Sequence, residues 1–177
     1  MRTFVIFILI GLGLLTLALV VRSGMFARKN PGEPINSTMR LALENQGMPE
    51  LSMDDATIIR REFPEARRLT SGLMYVLRQA GNGPAAQPGR EVAVHYEGRL
   101  IDGTVFDSSL KRGTPFTFRA GRGDVIAGWD EAVLQMRQGD KRTLIVPHWL
   151  GYGVNGRPPR IPPRATLIFE VELVEVR

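Results

Sequence analysis

Between Glu91 and Glu97 every second residue is large and apolar: Val92, Val94 and Tyr96 share one side of an extended chain, and Leu167, Phe169, Val171 and Leu173 repeat the pattern near the C-terminus. Such alternation describes strands with one face in a core and the other in water. Gly72 to Ala80, Pro115 to Ala120 and Lys141 to Pro147 are further strand candidates, separated by turn signals at Asp102-Gly103, Gly121-Arg122-Gly123 and Gly139-Asp140. Helical spacing interrupts them once, from Ile126 to Arg137, where Trp129 and Val133 share a face able to lie on a sheet, in a stretch that also holds Leu134 and Met136. The expected class is α+β, an antiparallel sheet wrapped around one helix.

Upstream of Ser71 the character changes. Phe4 to Val21 carries no charge over 18 residues, a length that spans about 27 Å as a helix at about 1.5 Å per residue against a bilayer core of about 30 Å. A membrane anchor is the expectation for residues 1–29, with a cleaved secretory signal as the alternative. Arg22, Arg28 and Lys29 after the apolar run oppose Arg2 and the amino terminus before it, so charge alone barely orients the segment. An inner-membrane anchor holding the rest of the chain in the periplasm is the expected location, and a periplasmic or secreted protein after cleavage is the alternative. Residues 30–69 form a linker with short helices. Ser52 followed by Asp55 makes a helix start, Ile58, Ile59 and Phe63 give it a narrow apolar face, and Pro64 ends it. That helix either docks a partner or a second copy, or it packs on its own domain or stays solvated. A monomer is expected.

Composition removes several functions. The 177 residues contain no cysteine, so disulfides, thiolate nucleophiles and thiolate zinc sites are absent. Two histidines, His95 and His148, do not make a metal centre without further ligands. The formal charge of +5 is spread along the chain rather than clustered as a nucleic-acid-binding arm requires. Alternation sets His95 on the face opposite Val94 and Tyr96, which leaves a Ser/His/acid nucleophile without support. No phosphate-binding glycine loop occurs, and acidic spacing alone identifies no glycosidase pair.

What remains is an aromatic and aliphatic set: Tyr96, Phe106, Phe116, Phe118, Val125, Ile126, Trp129, Tyr152 and Phe169. At strand spacing such residues are either a core or a pocket. Their local sequence adds a further signal. VHYEGRLIDGTVFDSS, PFTF, GDVIAGWDEAVLQMRQGDKRTLIVP and YGVNGRPPRIPPRATLIFEVELVEV, in that order, resemble the FK506-binding type of peptidyl-prolyl cis-trans isomerase from about Leu69 to Arg177; with its leading segment the chain looks like a bacterial member.

The resemblance implies a bent antiparallel sheet of about five strands half-wrapping one short helix, in a domain covering residues 70–177. It also implies a hydrophobic cleft. Trp129 would be its floor, Tyr96, Phe106, Phe116, Val125, Ile126 and Phe169 its walls, with Ile161 keeping an apolar match. Asp107 would stand at the edge, and the Ile126 N–H and Tyr152 hydroxyl would donate to substrate carbonyls. Clients would be proline-containing polypeptides, an FK506-like macrolide would be a ligand, and bond rotation needs no cofactor. Two departures stand out: four residues separate Pro147 from Tyr152 where three are expected, and Arg157 and Arg160 occupy positions that are often histidine or apolar. The arginines either favour acidic or extended substrates or are solvated loop charge. The alternatives to an isomerase are a proline-binding folding helper without turnover and an envelope scaffold.

Overall fold

The structure, a computed structural model, describes residues 51–177. The apolar run Phe4–Val21 and the first part of the linker lie outside the described residues, and within them no helix is long and apolar enough to cross a membrane.

Seven strands form one antiparallel sheet: β1 (Arg67–Arg68), β2 (Met74–Gln79), β3 (Glu91–Leu100), β4 (Val105–Ser108), β5 (Phe116–Arg119), β6 (Lys141–Val146) and β7 (Leu167–Val176). Their spatial order is β1-β2-β6-β7-β3-β4, with β5 also on β3. The long strands β3 and β7 pair along their whole length, from Val92 opposite Val176 to Leu100 opposite Leu167. On its other edge β3 is shared: Glu91 to Val94 pair with β5, and Glu97 to Arg99 pair with β4. Register shifts at Leu77/Gln79, Ala93/Val94 and Gly98/Arg99 are bulges, which bend and twist a sheet.

The two strands expected from alternation and the three further strand candidates are all present. The sheet has two more than the expected five or so. β1 is two residues long, too short for a period of two to register, and β4 reads Val105-Phe106-Asp107-Ser108, in which apolar and polar residues do not alternate. The helix expected from Ile126 to Arg137 is α3 (Ala127–Val133), and the chain leaves it early. There the Met136 carbonyl accepts the Ala86 N–H at 3.0 Å and Asp140 accepts the Arg137 N–H at 3.1 Å, so groups a longer helix would use are taken by the chain at 83–86 and by the following turn.

Alternation sorts side chains to two faces. Val92, Val94, Tyr96, Leu144, Val146, Leu167, Phe169, Val171 and Leu173 meet Trp129, Ala132, Val133 and Met136 on the concave face. Met74, Val76, Ile145 and Ile168 point the other way and are covered by Ile59 and Phe63 of α1 (Met53–Glu62) and its C-cap. The helix starts as its residues imply: the Ser52 hydroxyl accepts the Asp55 N–H at 3.0 Å, and Phe63 caps the last turn before Pro64. It packs on its own domain, tied further by the Thr166 hydroxyl donating to Asp55 at 2.6 Å and by Arg99 over the Phe63 ring.

Candidate active site

Tyr96 lies on the concave side of β3, its ring edge-on to Trp129 at 4.9 Å and near Phe116 and Phe169 at 6.2 and 6.5 Å. Trp129, in the first turn of α3, also meets Phe169 at 5.2 Å and Phe118 at 6.0 Å, and Phe106 of β4 closes on Phe169 at 5.6 Å. Six rings thus form one cluster, each edge-on pair adding about 0.5–1.5 kcal/mol beyond its buried area. The approach depends on Gly98: a Cβ there would stand 2.7 Å from the Phe169 ring and 2.8 Å from the Phe106 ring. Phe106 is half-buried and Phe116 is exposed, which puts both on the rim, whereas Trp129 is 4% exposed and its indole N–H has no hydrogen-bond partner among the described residues.

Val125, Ile126 and Tyr152 pack partly buried against the hydrophobic core that holds these rings, and Ile161 is buried within that core. Ile126 is the extended residue before α3, with φ −60 and ψ 147. Its carbonyl accepts the Trp129 and Asp130 amides, while its own N–H bonds to nothing among the described residues. The Tyr152 hydroxyl likewise has no hydrogen bond there, and Arg157 lies 5.9 Å from the Tyr152 ring. A 3-10 turn, His148–Leu150, precedes Tyr152, and in it Trp149 donates its indole N–H to the Ser71 carbonyl at 3.0 Å.

At the edge of the ring cluster the Tyr96 hydroxyl donates to Asp107 in a short hydrogen bond. Arg112, from α2 (Ser109–Arg112), donates to Asp107 at 2.5 Å and to the Tyr96 oxygen at 2.9 Å. The Ser108 amide adds a third donor to Asp107 at 2.9 Å. Burial pushes the Asp107 carboxyl up, but Tyr96 and Arg112 outweigh it and hold the group below the usual carboxylate range. Tyr96 shifts the other way, raised first by burial and then by its bond to the Asp107 anion. Across neutral pH the pair is therefore one carboxylate and one intact phenol.

The residues expected from sequence, Tyr96, Phe106, Asp107, Phe116, Val125, Ile126, Trp129, Tyr152, Ile161 and Phe169, lie in the core that holds the rings, pack against it, or, as Phe116 and Asp107 do, contact Tyr96 directly. Sequence reading missed Arg112 and Ser109. It also left His95 with no serine beside it, and this is corrected: His95 Nδ1 is 3.1 Å from Ser109 Oγ. The pair is still no nucleophile. Ser109 is completely buried and its oxygen accepts the Tyr96 N–H at 2.8 Å, which fixes α2 against β3 and leaves no face open to a substrate. Among the described residues no cluster of histidine or acidic side chains is placed to hold a metal.

Comparison with known proteins agrees with this geometry. A family model described as FKBP-type peptidyl-prolyl cis-trans isomerase matches residues 83–174. The chain is 51% identical over 105 residues to the FK506-binding protein of Neisseria meningitidis serogroup B, covering 59% of this chain and 96% of that one. It is 56% identical over 91 residues to the peptidyl-prolyl cis-trans isomerase FKBP15-1 of Arabidopsis thaliana, covering 51% and 60%. Among solved structures, a peptidyl-prolyl cis-trans isomerase from Pseudomonas syringae matches with a TM-score of 0.62 at 34% identity, over 70% of this chain and 90% of that one. The chain spans between a third and just under two thirds of the length of its eukaryotic curated relatives. With the six-ring cluster, the Tyr96–Asp107–Arg112 contacts and this run of matches through residues 83–174, the chain belongs to the FKBP-type peptidyl-prolyl cis-trans isomerase family.

Proposed function

We propose that this chain accelerates rotation about X–Pro peptide bonds in polypeptide clients. Resonance opposes that rotation with a barrier of about 18–20 kcal/mol, and uncatalysed exchange takes tens to hundreds of seconds. The observation that carries the reading is a six-ring cluster with Phe106 and Phe116 on its rim and, at the start of the helix that carries Trp129, a main-chain donor without a partner among the described residues, the Ile126 N–H. A proline ring seated against Trp129, Phe106 and Phe169 loses the water that stabilises the planar, charge-separated amide, while the twisted amide keeps less charge to solvate. The Ile126 N–H and the Tyr152 hydroxyl are suited to hold substrate carbonyls, and fixed donors of this kind favour the geometry they were set for. Asp107, kept anionic by Tyr96 and Arg112, gives the cleft edge a constant charge. No bond is made or broken, so no nucleophile is required.

An FK506-like macrolide fits the same cleft as a competitor of substrate. The uncharged run Phe4–Val21 supports a further reading, in which a bacterial inner membrane anchors the chain and the domain works in the periplasm. Detergent-dependent extraction of the full chain from bacterial membranes tests the anchor, and recovery in the soluble fraction rejects it.

Cis-to-trans exchange of a short X–Pro peptide, followed by NMR with the wild-type chain and Phe106→Ala, tests the activity. Acceleration that drops at least tenfold in a folded variant supports an isomerase at this cleft. A folded wild type that leaves the spontaneous rate unchanged defeats it and leaves a proline-binding folding helper.

A further inference from the structure

We propose that this chain prefers X–Pro substrates bearing a carboxylate side chain next to the proline, received by a basic cavity beside the aromatic cleft. The inference rests on the isomerase reading and names its substrate class.

A cavity of about 270 Å³ opens between β4, α2 and the loop at Arg160. Phe106 and Asp107 line it and also belong to the cleft and its edge, so a peptide leaving the ring cluster across Phe106 arrives at its mouth. The ionic content of the wall is one carboxylate, Asp107, against three cations, Lys111, Arg112 and Arg160. Arg112 is spent on Asp107 and on the Tyr96 oxygen. Asp107 is in turn saturated by Tyr96, Arg112 and the Ser108 amide, which blunts its repulsion of a second carboxylate. Lys111 and Arg160 are exposed and form no ion pair among the described residues. Two uncommitted positive charges therefore face the approach to the proline site.

Both sit on anchored backbone, which keeps their field in place. Lys111 is on α2, whose Ser109 is buried and bonded to the β3 main chain. Arg160 is at the end of a tight hairpin closed by Arg157 N–H to the Ile161 carbonyl at 2.8 Å and Ile161 N–H to the Arg157 carbonyl at 3.1 Å, and the Ile161 side chain is 3% exposed in the core. A hydrated carboxylate arriving at a rim of this kind gains steering and modest affinity. A neutral amide of equal size gains neither, and an ammonium is repelled.

The test measures kcat/KM by NMR exchange with the full chain on peptide sets that differ only in Glu, Gln or Lys on either side of the proline. With rim charges contributing modestly, the Glu peptide is expected to exceed its Gln isostere by about threefold or more in one placement at low salt, with Lys below Gln. The ratio should approach one by about 0.5 M salt, where the screening length is only a few ångströms. In the double variant Lys111→Gln, Arg160→Gln it should fall to about one without added salt. A wild-type ratio near one in both placements, or a ratio the double variant keeps, overturns the acidic preference while leaving the isomerase reading intact. If no peptide is accelerated, the isomerase reading falls, and NMR titration of the same peptides decides the preference: Glu must bind about threefold tighter than Gln, and equal Kd values overturn it too.

Discussion

Arg112 reaches two partners with one planar group, and exposure decides what that is worth. Its side chain is 46% exposed and that of Asp107 39%, and ion pairs so wet stabilise a fold by about 0–1 kcal/mol. The contribution is to geometry, since a guanidinium can hold Asp107 and the Tyr96 oxygen at once and a lysine ammonium, a single point charge, holds them less well. Arg112→Lys is therefore expected to shift denaturation by under about 1 kcal/mol and to lower kcat/KM by about threefold in the peptide exchange assay. Its neighbour sets the pH response. The Asp107 carboxyl is held below its ordinary value in the fold, so its stabilisation is present above the unfolded-state value and is lost as pH falls through the folded one. Tyr96 is raised, so its contribution is present below the ordinary tyrosine value and is lost as pH rises through the folded one. Activity is expected to stay flat across neutral pH, falling in acid only below the usual carboxylate range and in base only above the usual phenol range. In Asp107→Asn the acid limb should vanish, with the remaining activity lower by about tenfold; a pH profile of kcat/KM for both proteins checks it.

The strands β2, β3, β5, β6 and β7 were legible because each has enough residues for inward and outward side chains to alternate, and Val92, Val94 and Tyr96 do turn to one core. β1 could not be read that way, since two residues hold no period, and neither could β4, whose Val105-Phe106-Asp107-Ser108 does not alternate as Phe116-Thr117-Phe118-Arg119 of β5 does; β4 forms where β3 continues past the end of β5 and offers an unpaired edge. The end of α3 was misplaced because helical spacing does not reveal competition from Ala86 and Asp140 for the next backbone groups. The same limit governs the site. The aromatic residues were found through their strand positions and through motif likeness, whereas Arg112 stands five residues after Asp107 on a four-residue helix, a spacing with no periodic signature. Within β3, Gly98 shows how an element constrains the cleft it carries. Ala at this position would place a methyl 2.7–2.8 Å from two rings, and overpacking of this kind costs about 1–3 kcal/mol. Gly98→Ala is expected to be destabilised by that amount in urea and, with Phe106 displaced, to lose at least about fivefold in peptide exchange at temperatures where it remains folded.

At the scale of the whole described domain, the sheet is covered on both faces, and only the concave one carries the proposed chemistry. The other layer consists of Ile59 and Phe63 against Met74, Val76, Ile145 and Ile168, all at most 7% exposed. Phe63 closes this layer while Arg99, on the same strand as Tyr96, lies across its ring. Truncating a buried phenylalanine to alanine costs about 3–5 kcal/mol, a large fraction of the roughly 5–15 kcal/mol that holds a domain together. The site side chains, by contrast, belong to a separate cluster and should keep their mutual contacts when the back layer is thinned. Phe63→Ala should therefore lower the denaturation midpoint strongly, by about 3–5 kcal/mol in a urea titration, yet leave KM and kcat of the folded fraction within about twofold. Removing every residue before Leu69 would go further, since it strips Ile59 and Phe63 together and opens Met74, Val76, Ile145 and Ile168 to solvent as one apolar surface. Such surfaces associate, and light scattering should find concentration-dependent oligomers of the truncated chain where Phe63→Ala remains dispersed. Monodisperse behaviour and unchanged stability of the truncated chain would show instead that α1 lies on the sheet without stabilising it.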